Sequence, residues 1–131
     1  MRLKKIIPFF VIILMLGCDS EPKLSENPDT TLDDFRNFLN NNFSSVSESK
    51  KLFEMIGASD GAGFTGKDLD IEVYLFDTKK KTKEGLTRIS DMVKAFDMLD
   101  LKMDCLDSGF FLICNSATSN EFKSKKLLSK F

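Results

Sequence analysis

The sequence predicts an α+β fold, in which a small, mainly antiparallel sheet of three strands packs against helices in the order α-α-β-α-β-β-α. Two observations predict it. In several segments apolar residues recur every three or four positions, as in amphipathic helices, and in one segment they alternate with polar residues, as in a strand. Helices and strands in this mixed order are typical of a single α+β domain, and 131 residues suit one domain.

Two helices are predicted in the first part of the domain. The first begins at Thr31, a capping residue, and has an apolar stripe formed by Leu32, Phe35, Leu39 and Phe43. The second follows a capping-box pattern at residues 45–48 and ends near Gly57. Its apolar side would consist of Leu52, Phe53 and Ile56.

The middle of the chain predicts a loop, a strand and a helix. Residues 57–67 include four glycines and predict a mobile loop. The strand then alternates apolar Leu69, Ile71, Val73 and Leu75 with polar Asp68, Asp70, Glu72 and Tyr74. The strongest helix runs from about Thr82 to Leu99, with a stripe formed by Leu86, Ile89, Val93 and Phe96.

The last part of the chain predicts a hairpin and a short helix. Residues 102–107 and 110–116 read as two short strands around Ser108-Gly109. A cap signal at residues 118–121 then opens the final helix, with an apolar side formed by Phe122, Leu128 and Phe131.

The first 17 residues have the pattern of a signal peptide. Three positive charges, on Arg2, Lys4 and Lys5, precede an apolar run at residues 6–16 that only Pro8 interrupts. Such a run is too short to span a bilayer as a helix but suits the core of a signal peptide.

The end of this run, LMLGC at residues 14–18, resembles the lipobox of bacterial lipoproteins. Gly17 and Cys18 match that motif, whereas Met15 stands where the family usually has leucine. The resemblance covers residues 1–18 only. It implies cleavage between Gly17 and Cys18, a fatty-acyl lipid on Cys18, and a protein held on a bacterial membrane with its domain facing the periplasm or the exterior.

The following residue, Asp19, resembles the inner-membrane retention signal of enterobacterial lipoproteins. We therefore favour the inner membrane and leave the outer membrane open. The polar stretch after Cys18 lacks apolar periodicity, so the expected organisation is a cleaved peptide at residues 1–17, an anchor and flexible tether at 18–31, and one domain at 32–131.

The two remaining cysteines, Cys105 and Cys114, lie on the two strands of the predicted hairpin. A turn centred on Gly109-Phe110 would set them opposite each other, whereas one centred on Ser108-Gly109 would set Cys105 opposite Leu112. An even pair in an exported domain favours the first turn and a disulfide, with two buried thiols as the alternative.

Several classes of site have little support. Without histidine the chain cannot hold a Ser-His-Asp or Cys-His catalytic group, and no catalytic motif is recognised. Residues 61–67 match G-x-x-x-x-G-K, but Asp68 stands where a phosphate-binding loop needs Ser or Thr, and a strand follows instead of a helix. Asp68, Asp70 and Glu72 are weak candidates for a metal, because neighbouring side chains on one strand face lie about 7 Å apart.

The charge also limits the partners. The formal net charge of −1 becomes −4 once the three positive charges of residues 1–17 are removed, which gives no basic surface for nucleic acid. We expect neither cofactor nor nucleotide. The favoured function is binding of a protein partner at the membrane, as an accessory, inhibitor or immunity-type protein does.

Two alternatives remain open. One is a hydrolase acting on a cell-wall or lipid substrate through carboxylates or a Ser-Lys pair, for which Ser124 and the nearby lysines are candidates. The other is a structural lipoprotein whose basic last helix lies on the membrane, through Lys123, Lys125, Lys126 and Lys130.

Overall fold

A computed structural model describes residues 23–67, 69–95, 103–115 and 124–131. The predicted signal peptide lies outside these ranges, and so do Gly17, Cys18, Asp19 and Asp68. Of the helices within the described ranges, none is long and apolar enough to cross a membrane.

The described residues form helices and strands in the order α-β-β-β-α-β-β-α. Their bounds are α1 Leu32–Asn42, β1 Ser47–Lys50, β2 Asp60–Gly66, β3 Leu69–Leu75, α2 Lys79–Ala95, β4 Cys105–Ser108, β5 Phe111–Asn115 and α3 Lys125–Leu128. Short 3₁₀ helices lie at Leu24–Glu26 and Glu54–Ile56. The fold is α+β, as predicted.

The five strands form one antiparallel sheet in the spatial order β1-β2-β3-β5-β4. Its central strand, β3, has the predicted alternation: Leu69, Ile71 and Val73 are buried on one face, while Asp70 on the other face is exposed. The prediction of a three-stranded sheet is wrong, because β1 and β2 arise from residues that were expected to form a helix and a loop.

Helices α1 and α3 cover the first face of the sheet. Phe35 of α1 is fully buried, and its ring centroid lies between 4.9 and 6.1 Å from those of Phe38, Phe64, Phe111 and Phe131. Thr31 caps α1 as predicted, because its side chain accepts a hydrogen bond from the backbone N–H of Asp34 and the Asp34 carboxylate accepts one from the backbone N–H of Thr31. The predicted stripe of α1 therefore faces the core.

Helix α2 covers part of the second face. Leu86, Ile89 and Val93 pack against a cluster that includes Tyr74 and Leu112 of the sheet. The helix begins at Lys79, three residues before the predicted Thr82, and is described as far as Ala95. The predicted continuation through Phe96 to Leu99 lies outside the described residues.

Residues 47–50, which were predicted to begin a second helix, form strand β1 instead. All four side chains are exposed and the backbone pairs with β2. Pairing with β2 satisfies the backbone groups on one side of this polar edge strand, so the segment folds without the apolar side that a surface helix has to bury. Two residues of the apolar side predicted for that helix differ in burial. Ile56 is buried, whereas the exposed fraction of Leu52 is 81%.

The folded domain begins before the predicted boundary at Leu32, because residues expected to form a tether pack against it. Ser25 is fully buried. Its N–H donates to the carbonyl of Phe131 at 3.0 Å, its carbonyl accepts from the N–H of Phe110 at 2.9 Å, and its hydroxyl lies 2.7 Å from that of Ser108. Thr30 is also buried and donates its hydroxyl to the Leu24 carbonyl.

Candidate functional site

The sequence-predicted disulfide is present, between Cys105 of β4 and Cys114 of β5, with an S–S distance of 2.10 Å. The two residues are direct partners in the ladder, and the loop between the strands is Gly109-Phe110. Gly109 has a φ of +63°, and a Cβ there would lie 2.5 Å from the carbonyl oxygen of Ser25. The turn therefore requires glycine at this position both for its backbone angle and for the contact with Ser25.

The predicted acidic strand face is formed by the alternate residues Asp70, Glu72 and Tyr74 of β3. Asp70 is exposed and Glu72 is half-buried, whereas Tyr74 is only 6% exposed. The Tyr74 hydroxyl donates a hydrogen bond of 2.5 Å to Glu72 Oε1. The pKa of Tyr74 is raised well above its ordinary value, mainly by burial of the phenol and further by the neighbouring Glu72.

These acids do not gather into a metal site within the part of the chain that the structure describes. No group of three or more Asp, Glu or Cys side chains there could hold an ion. Glu72 binds the Tyr74 hydroxyl, and Asp68 lies outside the described residues. On the described part of this face, the carboxylates are those of Asp70 and Glu72, two positions apart in β3. Two such carboxylates make a poor site for a hard cation.

The glycine-rich segment is a strand, so the prediction of a mobile loop at residues 57–67 is wrong for most of its length. Strand β2 pairs on both sides, with β1 and β3. A Cβ on Gly61 would lie 2.8 Å from Phe53 Cβ and 2.9 Å from Tyr74 Cδ1, and one on Gly63 would lie 2.6 Å from Lys51 Cε. The glycines thus allow residues 51–53 to lie directly on the sheet.

The Ser-Lys candidates that the sequence predicts lie at and around the last helix, α3. Ser124 is 8% exposed and precedes α3, and the Lys125 ammonium lies 3.6 Å from Asp104. Lys126 and Lys130 are exposed, and Lys123 lies outside the described residues. Leu128 and Phe131 are buried as predicted, whereas Phe122 lies outside.

Three large apolar side chains, Leu52, Met55 and Met92, are exposed, and we refer to them together as the exposed apolar patch. The 3₁₀ helix that carries Met55 contacts α2, which carries Met92, and Leu52 lies three positions before Met55. The exposed fractions are 81%, 63% and 42%. Arg88 Nη1 contacts the Met55 carbonyl at 3.5 Å, and Met92 lies one turn beyond Arg88 along α2. The sequence predicted both Leu52 and Met92 on buried stripes, and no local signal distinguishes them from core residues.

An apolar cavity of about 310 Å³ lies between α2 and the disulfide. Leu86, Ile89, Val93, Met103 and Cys105 contribute to its lining. Two smaller cavities of about 150 Å³ each are also formed by described residues, one beside Phe43 and Lys67 and the other beside Gly57 and Arg88. Ser90 and Lys94 of α2 also line the large cavity, so its described lining is mainly apolar, with one hydroxyl and one ammonium.

Comparison of the chain with models of protein families, with curated proteins and with solved structures finds no match.

Proposed function

We propose that the chain is an envelope lipoprotein, attached to a bacterial membrane by lipid on Cys18, whose domain binds a protein partner. The sequence of residues 1–18 supports the attachment, with positive charges, an apolar core, Gly17 and Cys18 in the order of a lipoprotein signal. The disulfide also supports export, because such bonds persist in oxidising compartments. The inner membrane is favoured through Asp19, with the outer membrane open.

The observation that carries the binding function is the exposed apolar patch. Large apolar side chains that lie together on a surface are typical of interaction sites, whereas single exposed ones are common on any protein. Phe53, which lies between Leu52 and Met55 in the chain, packs against Gly61 and the second core cluster. Leu52 and Met55 therefore point outward from a segment that is itself anchored to the sheet.

The patch also indicates the chemistry of the partner. Its side chains are unbranched at Cβ and two of the three are methionines, which adapt to irregular apolar surfaces. The cationic Arg88 lies at its edge. We expect the partner to present an apolar depression with acidic or carbonyl oxygens at its rim.

Capture from detergent-solubilised envelopes tests this proposal. The lipidated wild-type protein should enrich a reproducible partner, and the variant Leu52→Ser/Met55→Ser should lose it. The matched control is Leu24→Ser, because Leu24 is an apolar residue of comparable exposure (50%) on another part of the domain. Failure to enrich any partner, or equal enrichment by both variants, would contradict binding through the patch.

Mass spectrometry of the natural product tests the anchor separately. The expected mature chain begins at Cys18 and carries fatty-acyl chains there, because two or three such chains are needed for stable attachment. The variant Cys18→Ser should keep residues 1–17 and gain no lipid. A mature form with the initiator end intact, or with an unmodified thiol on Cys18, would refute the anchor.

A further inference from the structure

The first residues of the described chain that pack against the domain lie at one end of the sheet. Ser25 is bonded to Ser108, Phe110 and Phe131 there, and the Phe76 N–H donates to the Phe110 carbonyl at 2.8 Å. Helix α2 starts at the same end, where Lys79 pairs with Glu26 and lies over the Phe110 ring. We call this the anchor end. The turn between β2 and β3, at Lys67, lies at the opposite end of the strands.

The length of chain between Cys18 and the domain is short. Five residues separate Cys18 from Leu24, and a fully extended chain covers at most about 22 Å over those six steps. The packing of Ser25 removes the longer tether that the sequence predicted through residue 31. A lipid on Cys18 would therefore hold the anchor end close to the bilayer.

The lysines at the anchor end outnumber the nearby carboxylates of Glu26, Asp77 and Asp107, so they would suit a surface of anionic head groups. Lys79, Lys80 and Lys81 occupy the first turn of α2, which contains no acidic residue, although the helix dipole disfavours positive charge at this position. Their described ion pairs, with Glu26 and Asp77, are solvent-exposed and therefore weak. Lys23 and Lys130 add two exposed cations at the same end.

We propose that the anchor end faces the bilayer and that the lysines at the start of α2 contact anionic lipid head groups, with the β2–β3 turn pointing away from the membrane. This orientation rests on the proposed lipid attachment at Cys18. It leaves the opposite end of the sheet, with the cavity beside Phe43 and Lys67, accessible from the aqueous side.

Energy transfer on vesicles tests the orientation. The lipidated full-length protein is reconstituted in phosphatidylethanolamine and phosphatidylglycerol with an acceptor dye on the head groups. A donor dye is attached at Lys80→Cys or at Lys67→Cys, two variants that each remove one exposed lysine. The introduced thiol is the one available to the dye, because Cys105 and Cys114 are bonded to each other and the proposed lipid occupies Cys18.

The expected result is clearly greater transfer from position 80 than from position 67, because β3 alone separates the two ends by about 20 Å. Equal transfer, or greater transfer from position 67, would overturn the orientation. The same difference in vesicles of phosphatidylcholine alone would overturn the contact of the lysines with anionic head groups. Protein that does not float with the vesicles would instead refute the lipid attachment itself, which distinguishes the two failures.

Discussion

At the scale of single residues, Tyr74 offers the most direct test of the structure. Its hydroxyl donates to Glu72, and burial is the largest cause of its raised pKa. The chain contains one tyrosine and no tryptophan, so the ultraviolet absorbance of tyrosinate reports this residue alone. We expect the phenol of the folded protein to stay protonated through about pH 10, where tyrosine in an unfolded chain is half-ionised.

The raised pKa of Tyr74 determines how the stability of the folded protein changes with pH. The pKa is raised in the folded state, so its contribution to stability is complete below the unfolded pKa and is lost as the pH rises above it. Ionisation should therefore accompany alkaline unfolding. In Glu72→Gln the pKa should fall only partly, because burial remains. An absorbance titration of the folded protein with an ordinary midpoint would contradict the buried position of Tyr74.

The glycines of β2 explain why the sequence predicted a loop where the structure has a strand. Gly61 and Gly63 were interpreted as loop residues, because glycine clusters are typical of turns. In the structure each lies in a strand that is overlaid by another segment, and the space a side chain would need is filled by Phe53 and Lys51. A glycine selected for close approach cannot be distinguished by sequence pattern from a glycine selected for flexibility.

At the scale of elements, removal of the disulfide should destabilise the β4–β5 hairpin. By the chain-entropy model the loop closed by nine positions of separation contributes about 2–3 kcal/mol. Reduction of the wild-type protein should lower the free energy of unfolding by this amount in urea titrations. The variant Cys105→Ala/Cys114→Ala serves as a control, since reductant should leave it unchanged. An identical urea midpoint for oxidised and reduced wild type would contradict the prediction.

The elements that sequence alone predicted are those with a strong periodic signal. The alternation in β3, the packing of Leu86, Ile89 and Val93 in α2 and the cysteine spacing of the hairpin are present as predicted. Met92, which was predicted on the same stripe of α2, is exposed. The alternative turn at Ser108-Gly109 is excluded by the observed register.

Strand β1 carries no such signal, because it is a polar edge strand with all four side chains exposed. It is held by pairing with β2 and by Arg36 of α1, whose Nε and Nη2 donate to Glu48 at 2.5 and 2.8 Å. This contact lowers the pKa of Glu48, with the hydrogen bond from Arg36 as the main cause. Arg36 and Glu48 are twelve positions apart in the sequence, so their contact is not part of any local pattern. The local capping pattern therefore predicted a helix where the structure has a strand.

At the scale of the whole molecule, the start of the domain depends on contacts that no local pattern reveals. Residues 19–31 are polar, yet Ser25 and Thr30 are buried and bonded. Buried polar groups need specific partners, and those of Ser25 lie more than eighty positions away along the chain. The boundary of the domain is therefore a tertiary property, and so is the length of chain between the domain and the proposed lipid on Cys18.

Truncation from the N-terminus tests that boundary. A chain beginning at Lys23 should be as stable as one beginning at Asp19, within about 0.5 kcal/mol. A chain beginning at Thr31 should lose about 2–4 kcal/mol, because it lacks the three hydrogen bonds of Ser25, each worth roughly 0.5–1.5 kcal/mol. Urea unfolding measures both values. Ser25→Ala, which removes only the hydroxyl paired with Ser108, should lie between them. If the chain beginning at Thr31 unfolded at the same urea concentration as the longest one, residues 24–30 would be a tether after all.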